Sequence, residues 1–206
     1  MKKIYFIVCF ILLISCRSSH KVINFSLSNK YVSLNKVKVK IGLKAFESLT
    51  LRGNINIVED SLICFGFWGP LGLKVISGQY GDKFRIVDHY NGNEFPDVRV
   101  KLINKSGILF NRKVVEEILR AELDSLSVSL TELNKEILQI GYESKGSKKN
   151  FSIVNKIRKS ELNLEYSFKR SLLKSIKLRY KDSFESWNVI IEIIDITNEK
   201  KKCNFG

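Results

Sequence analysis

The chain has 206 residues, the size of one ordinary domain, and 44% of them are hydrophobic. Lys and Arg number 35 against 21 Asp and Glu, which gives a formal net charge of +14. This balance favours anionic partners such as lipid headgroups, although basic residues spread along the whole chain also fit ordinary solvated surfaces. Two His and four Cys leave little material for a catalytic or metal centre built from these residue types.

The first residues have the pattern of a secretory signal. Lys2 and Lys3 precede an uninterrupted apolar run over residues 4–14. The run is shorter than the roughly 20 residues that a transmembrane helix needs, and it fits the apolar region of a signal peptide. We therefore expect residues 1–15 to be a signal peptide and the protein to be exported, which disfavours nucleic acid as the anionic partner.

The signal ends at Leu13, Ile14, Ser15 and Cys16, which resembles the lipobox of bacterial lipoproteins. The resemblance implies cleavage before Cys16 and acylation of its thiol and new amino group, so covalent lipid is expected and a cofactor is not. Several acyl chains, each contributing about 0.8 kcal/mol per buried CH₂, would hold the protein on a membrane. Arg17 after the cysteine suggests the outer membrane, with the protein facing the periplasm.

Residues 16–34 have the composition of a tether, because Ser, Asn, Lys and scattered apolar residues follow one another without a period. A folded domain is expected over residues 35–197. Residues 198–206 are expected to form a basic, solvated tail.

The first half of that domain shows the period of two that is typical of strands with one buried face. Strands are predicted at 37–43, 49–57, 62–68, 73–77 and 84–88, with a short sixth strand at 98–102. Short turns join them, and Asn91-Gly92 is the sequence signal of a type I′ hairpin turn. This order predicts an antiparallel meander.

Two amphipathic helices are predicted next. Asn111 is a candidate cap for the first, and a capping-box pattern at 129–132 predicts the start of a second helix that includes Leu138 and ends before Gly141. Each helix is expected to cover the apolar face of the sheet. The neighbouring acids Glu116 and Glu117 are expected to lie solvated on the first helix.

The last part of the domain returns to the period of two. After a basic loop at 141–150, strands are predicted at 151–157, 162–168, 176–180 and 187–193. The fold class is therefore mainly β with α, an antiparallel sheet with two mid-chain helices.

An enzyme needs a constellation of reactive groups, and the sequence offers none. His20 lies in the tether and His89 at a hairpin end beside Asp88, where a solvated turn residue is expected. Phosphate-binding Gly-rich loops, metal-ligand spacings and nucleophile elbows are all missing from the sequence. We expect a non-catalytic protein without a metal site.

Two cysteines remain in the expected domain and tail. Cys64 lies in a strand pattern and Cys203 in the tail, and two cysteines carry no framework signature. Export would allow them to pair. The sequence leaves the pairing open, and unpaired cysteines are the favoured interpretation.

The order of elements resembles the LolA/LolB fold of outer-membrane lipoprotein proteins, an unclosed half-barrel whose concave apolar face is covered by helices. The most specific likeness is the turn Pro70-Leu71-Gly72 between two early strands, which resembles a Pro-Leu-Gly turn that projects a leucine into solvent in LolB-type receptors. The resemblance implies a strongly curved sheet of about nine to eleven strands. It further implies a cavity for acyl chains or lipoproteins, received from a periplasmic carrier.

The resemblance also implies that Leu71 contacts a membrane or cargo. The residues themselves agree, because Gly69, Pro70 and Gly72 fix a tight turn, so Trp68, Leu71 and Leu73 cannot all enter one core. The predicted function is delivery of acyl chains or lipoproteins to the outer membrane by a monomer. The alternative is a tethered adaptor or structural lipoprotein whose cavity is filled, for example by Phe65, Phe67 and Trp187, and which docks on anionic envelope material or a protein.

Overall fold

The computed structural model describes residues 30–43, 46–95, 107–134, 138–199, 201 and 203. These residues form twelve strands, two α-helices and one 3₁₀ turn at Pro70–Gly72. The elements in chain order are β1 (Tyr31–Leu43), β2 (Phe46–Val58), β3 (Leu62–Trp68), β4 (Lys74–Tyr80), β5 (Phe84–Asp88), β6 (Asn93–Phe95), α1 (Arg112–Arg120), α2 (Leu123–Asn134), β7 (Leu138–Lys145), β8 (Lys148–Asn155), β9 (Ser160–Lys169), β10 (Leu172–Lys181), β11 (Ser186–Glu192) and β12 (Asp195–Thr197).

All twelve strands belong to one antiparallel sheet that does not close. Its order is β6-β5-β4-β3-β2-β1-β11-β10-β9-β8-β7, and β12 pairs with β1 beside the end of β11. The meander predicted for the first half and the strands predicted for the second half therefore meet where β1 pairs with β11. The second half is also a meander, over β7 to β11. This confirms the fold class, with one strand more than the upper end of the expected range.

The concave face of the sheet holds the core and is covered by the two helices. The alternating apolar residues of β1, β2, β8, β9 and β10 point to this side, where they meet the apolar faces of α1 and α2. Aromatic rings lie over glycines of neighbouring strands, Phe65 over Gly78 and Phe67 over Gly53. A glycine gives such a ring room to pack flat against the sheet. These ring–glycine pairs therefore extend the apolar core beside the helices.

Helix α1 begins as predicted, whereas α2 does not. The Asn111 side chain accepts a hydrogen bond from the Val114 N–H at 2.8 Å and caps α1. The chain then turns at Ala121, which has left-handed φ and ψ, and α2 starts at Leu123. The predicted capping box at Ser129 was wrong because the Ser129 hydroxyl lies inside α2 and donates to the Glu117 carboxylate at 2.8 Å.

The segment after α2 also differs from the prediction. Leu138 and Gly141 belong to β7, and the expected loop at 141–150 is the β7–β8 hairpin with its turn at Gly146. The Asn91-Gly92 hairpin is present but has a four-residue turn, because only Gly92 of the pair has positive φ. The predicted strand at 98–102 lies outside the described residues.

The C-terminal segment contacts polar residues on the convex side of β1. Strand β1 begins at Tyr31, within the stretch expected to be tether, and buries Ser33 and Asn35 on its convex side. The Ser33 hydroxyl donates to the Glu199 carbonyl at 3.0 Å, and the Lys201 ammonium donates to the Asn35 side chain at 2.6 Å.

The C-terminal segment is fixed by a disulfide. Cys203 is bonded to Cys64 of β3, with 6.0 Å between the Cα atoms. The favoured interpretation of unpaired cysteines was therefore wrong. The reason is the path of the chain after β12, which brings residue 203 over the convex face of β3, a path that strand periodicity does not encode.

Candidate functional site

An apolar cavity of about 220 Å³ lies between α1 and the concave face of the sheet. One wall comes from α1 and the residues before it, through Phe110, Val115 and Ile118. The other walls come from both halves of the sheet, with these residues: Tyr80, Phe84, Leu162, Leu178, Tyr180, Glu185, Trp187 and Ile191. The cavity therefore lies where the two meanders curve towards each other beneath a helix.

Both tyrosine hydroxyls of the cavity wall have hydrogen-bond partners. The Tyr80 hydroxyl donates to the Phe110 carbonyl at 3.1 Å, and the Tyr180 hydroxyl donates to the Asp182 carboxylate at 2.8 Å. Burial, followed by the hydrogen bond to Asp182, raises the pKa of Tyr180, so this group stays a neutral donor. Such a mostly apolar site can hold hydrocarbon.

The aromatic residues that were candidates to fill the cavity are divided between two places. Trp187 lines the cavity and stacks on Tyr180, with ring centroids 5.2 Å apart. Phe65 and Phe67 stack on each other at 5.4 Å and cover glycines of β4 and β2. The cavity is thus narrowed by Trp187 and Phe84 but not filled by the β3 aromatics.

The Pro70-Leu71-Gly72 turn holds its leucine in solvent. The Gly69 N–H donates to the Leu73 carbonyl at 2.9 Å, which closes the turn. Leu71 has φ of 69° and Gly72 has φ of 72°. The Leu71 residue is 95% exposed, so it does not fold back to cap the end of the barrel.

The other residues predicted around this turn occupy different environments. Leu73 is 68% exposed and Pro70 and Gly72 are exposed, whereas Trp68 is half-buried. The Trp68 ring lies over Gly66 of its own strand, where an added Cβ would come within 3.1 Å of the indole. The exposed apolar surface of this turn is therefore made by Leu71 and Leu73. Cys16 lies outside the described residues.

Three further turns expose large apolar residues that were not predicted as site residues. They are Tyr90 in the β5–β6 turn, Ile157 in the β8–β9 turn and Phe184 in the β10–β11 turn. Glu185, the neighbour of Phe184, lines the apolar cavity. A usable signal exists in the sequence, since each apolar residue follows an Asp or Asn by two positions.

The acids Glu116 and Glu117 are buried, so the expectation that they are solvated was wrong. Glu116 pairs with Arg120 at 3.0 Å and accepts a hydrogen bond from the Asp60 N–H, which ties α1 to the β2–β3 turn. Glu117 accepts from Ser129, which ties α1 to α2. Burial is the main cause that raises the pKa of both carboxyl groups.

His89, one of the two histidines of the chain, is hydrogen-bonded to a neighbouring strand. His89 shares a 2.8 Å hydrogen bond with the buried Ser77 hydroxyl and lies at the end of β5. Within the described ranges, His, Cys, Asp and Glu side chains form no group of three suited to a metal ion. No helix in the described part of the chain is both long and apolar enough to cross a bilayer. His20 lies outside the described residues.

No family model matches the chain, and no curated protein matches it. Among solved structures, the chain is similar to a LolA superfamily protein from Nitrosomonas europaea, with a TM-score of 0.37 and 8% identity over 86% of this chain and 89% of that one.

Proposed function

We propose that this protein is a membrane-anchored lipoprotein that binds acyl chains, free or on a lipoprotein, and delivers them to the bilayer of the outer membrane. The observation that carries the proposal is the apolar cavity under α1, whose wall reaches the β10–β11 turn at Glu185. Anchoring through Cys16 and location at the outer membrane belong to the same proposal and rest on the lipobox pattern.

The size of the cavity fits transient binding. Its volume of about 220 Å³ is below the range of about 300–1,000 Å³ that is usual for drug-sized ligands, so it takes part of one chain. Each buried CH₂ contributes about 0.8 kcal/mol. A partly buried chain is therefore held moderately and can leave when a bilayer offers more apolar contact, and no chemical step is needed.

The exposed turn supplies the route of release. Leu71 and Leu73 lie in solvent between β3 and β4, and exposed apolar side chains of this kind favour a membrane or another protein. Contact between this turn and lipid would hold this end of the strands against the bilayer. The acyl chain then exchanges one apolar environment for another without crossing water.

The binding step is tested by filling the cavity. Val115→Phe enlarges a half-buried cavity residue on α1 and is expected to reduce binding of a fluorescent fatty acid to the full chain reconstituted in vesicles at least tenfold. Val128→Phe on the exposed side of α2 is the matched control. Equal binding by both variants would remove the carrier function and favour the tethered adaptor.

The release step is tested at Leu71. Leu71→Glu is expected to leave fatty-acid binding unchanged and to slow transfer to acceptor vesicles severalfold, because a charged turn cannot enter lipid. Ile194→Glu changes an exposed isoleucine elsewhere on the molecule and should transfer like the parent. Unchanged transfer by Leu71→Glu would remove the delivery role of the turn.

A further inference from the structure

The hairpin turns lie at the two ends of the strands and form two opposite edges of the sheet in that sense. These two edges differ in the chemistry of their turns. The antiparallel order places the β3–β4, β5–β6, β8–β9 and β10–β11 turns at one edge. Each of these four turns exposes a large apolar residue: Leu71 with Leu73, Tyr90, Ile157 and Phe184. The β2–β3, β4–β5, β7–β8 and β9–β10 turns lie at the opposite edge and have the sequences Glu-Asp-Ser, Gly-Asp-Lys, Gly-Ser and Arg-Ser.

Three of the apolar turns share one hydrogen-bonding pattern. Asp88, Asn155 and Asp182 each end or follow a strand, and each side chain accepts hydrogen bonds from the backbone N–H groups two and three residues later. The apolar residue is the one two positions on, namely Tyr90, Ile157 and Phe184. An Asp or Asn turn of this kind fixes the loop without help from the apolar side chain, which is left free for an external contact.

A cluster of positive charge lies in the same edge. The β8–β9 turn has the sequence Lys156-Ile157-Arg158-Lys159, and all four residues are exposed. Basic residues around an exposed apolar side chain are typical of proteins that lie in the interface of an anionic membrane.

We propose that the four turns that expose Leu71, Leu73, Tyr90, Ile157 and Phe184 form one bilayer-binding rim that prefers anionic lipid. The inference rests on the membrane role proposed for Leu71 and extends it to three turns on both halves of the sheet. The rim also adjoins the cavity, because Glu185 in the Phe184 turn lines it. A docked rim would therefore place the cavity beside the lipid surface.

The expected tether is long enough for this orientation. Residue 30 lies next to the β2–β3 turn at the polar edge, where its carbonyl accepts from the Glu59 N–H at 2.9 Å. Residues 17–30 can extend to at most about 46–50 Å. The thirteen residues of β1 rise about 43 Å along the strand. An anchor at Cys16 therefore permits the opposite edge to reach the membrane.

The rim is tested by quenching tryptophan fluorescence in the full chain reconstituted in vesicles that contain brominated phosphatidylcholine. Trp68 ends β3 and Trp187 lies near the start of β11, both beside the rim. The parent protein is expected to be quenched, and Ile157→Glu and Phe184→Glu are each expected to reduce that quenching at least twofold. Ile194→Glu is the matched control, since Ile194 is exposed in the link between β11 and β12 near the polar edge.

The lipid preference is tested by adding phosphatidylglycerol to the same vesicles. Quenching of the parent should increase, and Lys156→Gln with Lys159→Gln should abolish that increase. The control pair at the polar edge is Lys83→Gln with Arg170→Gln, which should keep it. An increase that survives the loss of Lys156 and Lys159 would overturn the preference for anionic lipid.

The outcomes separate the rim from the delivery function. Equal quenching in the parent, Ile157→Glu and Phe184→Glu would overturn the rim, even where Leu71→Glu still slows transfer. Reduced quenching in both variants supports the rim. If the fatty acid does not bind while the rim variants still lose quenching, the delivery function fails and the rim stands.

Discussion

Glu117 is a buried carboxyl group in a strongly basic protein, and its surroundings are mostly acidic. One oxygen accepts from Ser129, whereas the other, Oε2, is buried without a hydrogen-bond partner. Desolvation is the main cause that raises the pKa of Glu117. The hydrogen bond from Ser129 and the charge of Lys113 lower this pKa, whereas the charges of Glu122 and Asp60 raise it further. Because the pKa is raised only in the folded state, the folded protein binds this proton more tightly than the unfolded chain does.

Glu117→Gln is therefore expected to stabilise the protein at neutral pH. The carboxyl group favours folding when protonated, and this contribution is lost as the pH rises above the ordinary glutamate value through the raised pKa of the folded state. The amide keeps an acceptor for Ser129 and removes the buried charge. We expect a gain of about 1 kcal/mol in the free energy of unfolding at pH 7 and a smaller one at pH 4.

Urea unfolding at both pH values measures this effect. Glu143→Gln changes an exposed acid on β7 and should alter the free energy of unfolding little at either pH. A loss of stability at pH 7 on Glu117→Gln would mean that the ionised carboxylate stabilises the junction of α1 and α2.

At the scale of elements, the β3–β4 turn contains a strained leucine. Leu71 has φ of 69°, a left-handed conformation that costs a side chain other than glycine about 1–2 kcal/mol. It is 95% exposed, so burial does not offset the strain. We therefore attribute the leucine at this position to the membrane contact proposed above.

Leu71→Gly is accordingly expected to raise the free energy of unfolding by about 1 kcal/mol while weakening membrane contact. Leu73→Gly is the matched control, because Leu73 is also exposed but has φ of −72° and should lose stability through added chain entropy. Thermal unfolding compares the two. Destabilisation by both glycines would show that Leu71 contributes to folding.

The elements that follow from local rules were predictable, and those that depend on tertiary contacts were not. The period of two located nine of the twelve strands at least in part, since it reflects one buried face. The start of α2 was missed because Ser129 finds its partner on another helix. The exposed Leu71 followed from its turn chemistry. Phe184 and Ile157 were missed because the Asp or Asn two positions earlier indicates a turn, whereas strand order decides which turns lie together.

At the scale of the whole molecule, the sheet has a polar edge and an apolar one, and the two halves of the chain contribute to both. The halves are joined where β1 pairs with β11, so the concave cavity depends on strands far apart in sequence. The C-terminal segment adds to this junction, because β12 pairs with β1 beside the end of β11 and Cys203 then reaches β3. The geometry of cavity and rim therefore depends on how firmly this segment is held.

The disulfide that holds the segment closes a long loop, and its loss should lower global stability. Cys64 and Cys203 are 139 residues apart, and a cross-link over such a separation stabilises by restricting the unfolded chain, by about 2–5 kcal/mol. Cys203→Ser should lose this amount in urea unfolding without reductant, and the parent protein with reductant should behave like the variant. Lys201→Ala removes a side-chain contact to Asn35 and keeps the cross-link, so it should lose about 0.5–1.5 kcal/mol at most. If the parent with and without reductant unfolds at the same urea concentration as Cys203→Ser, the C-terminal segment is held by β12 and its hydrogen bonds, and the junction of the two halves does not need the cross-link.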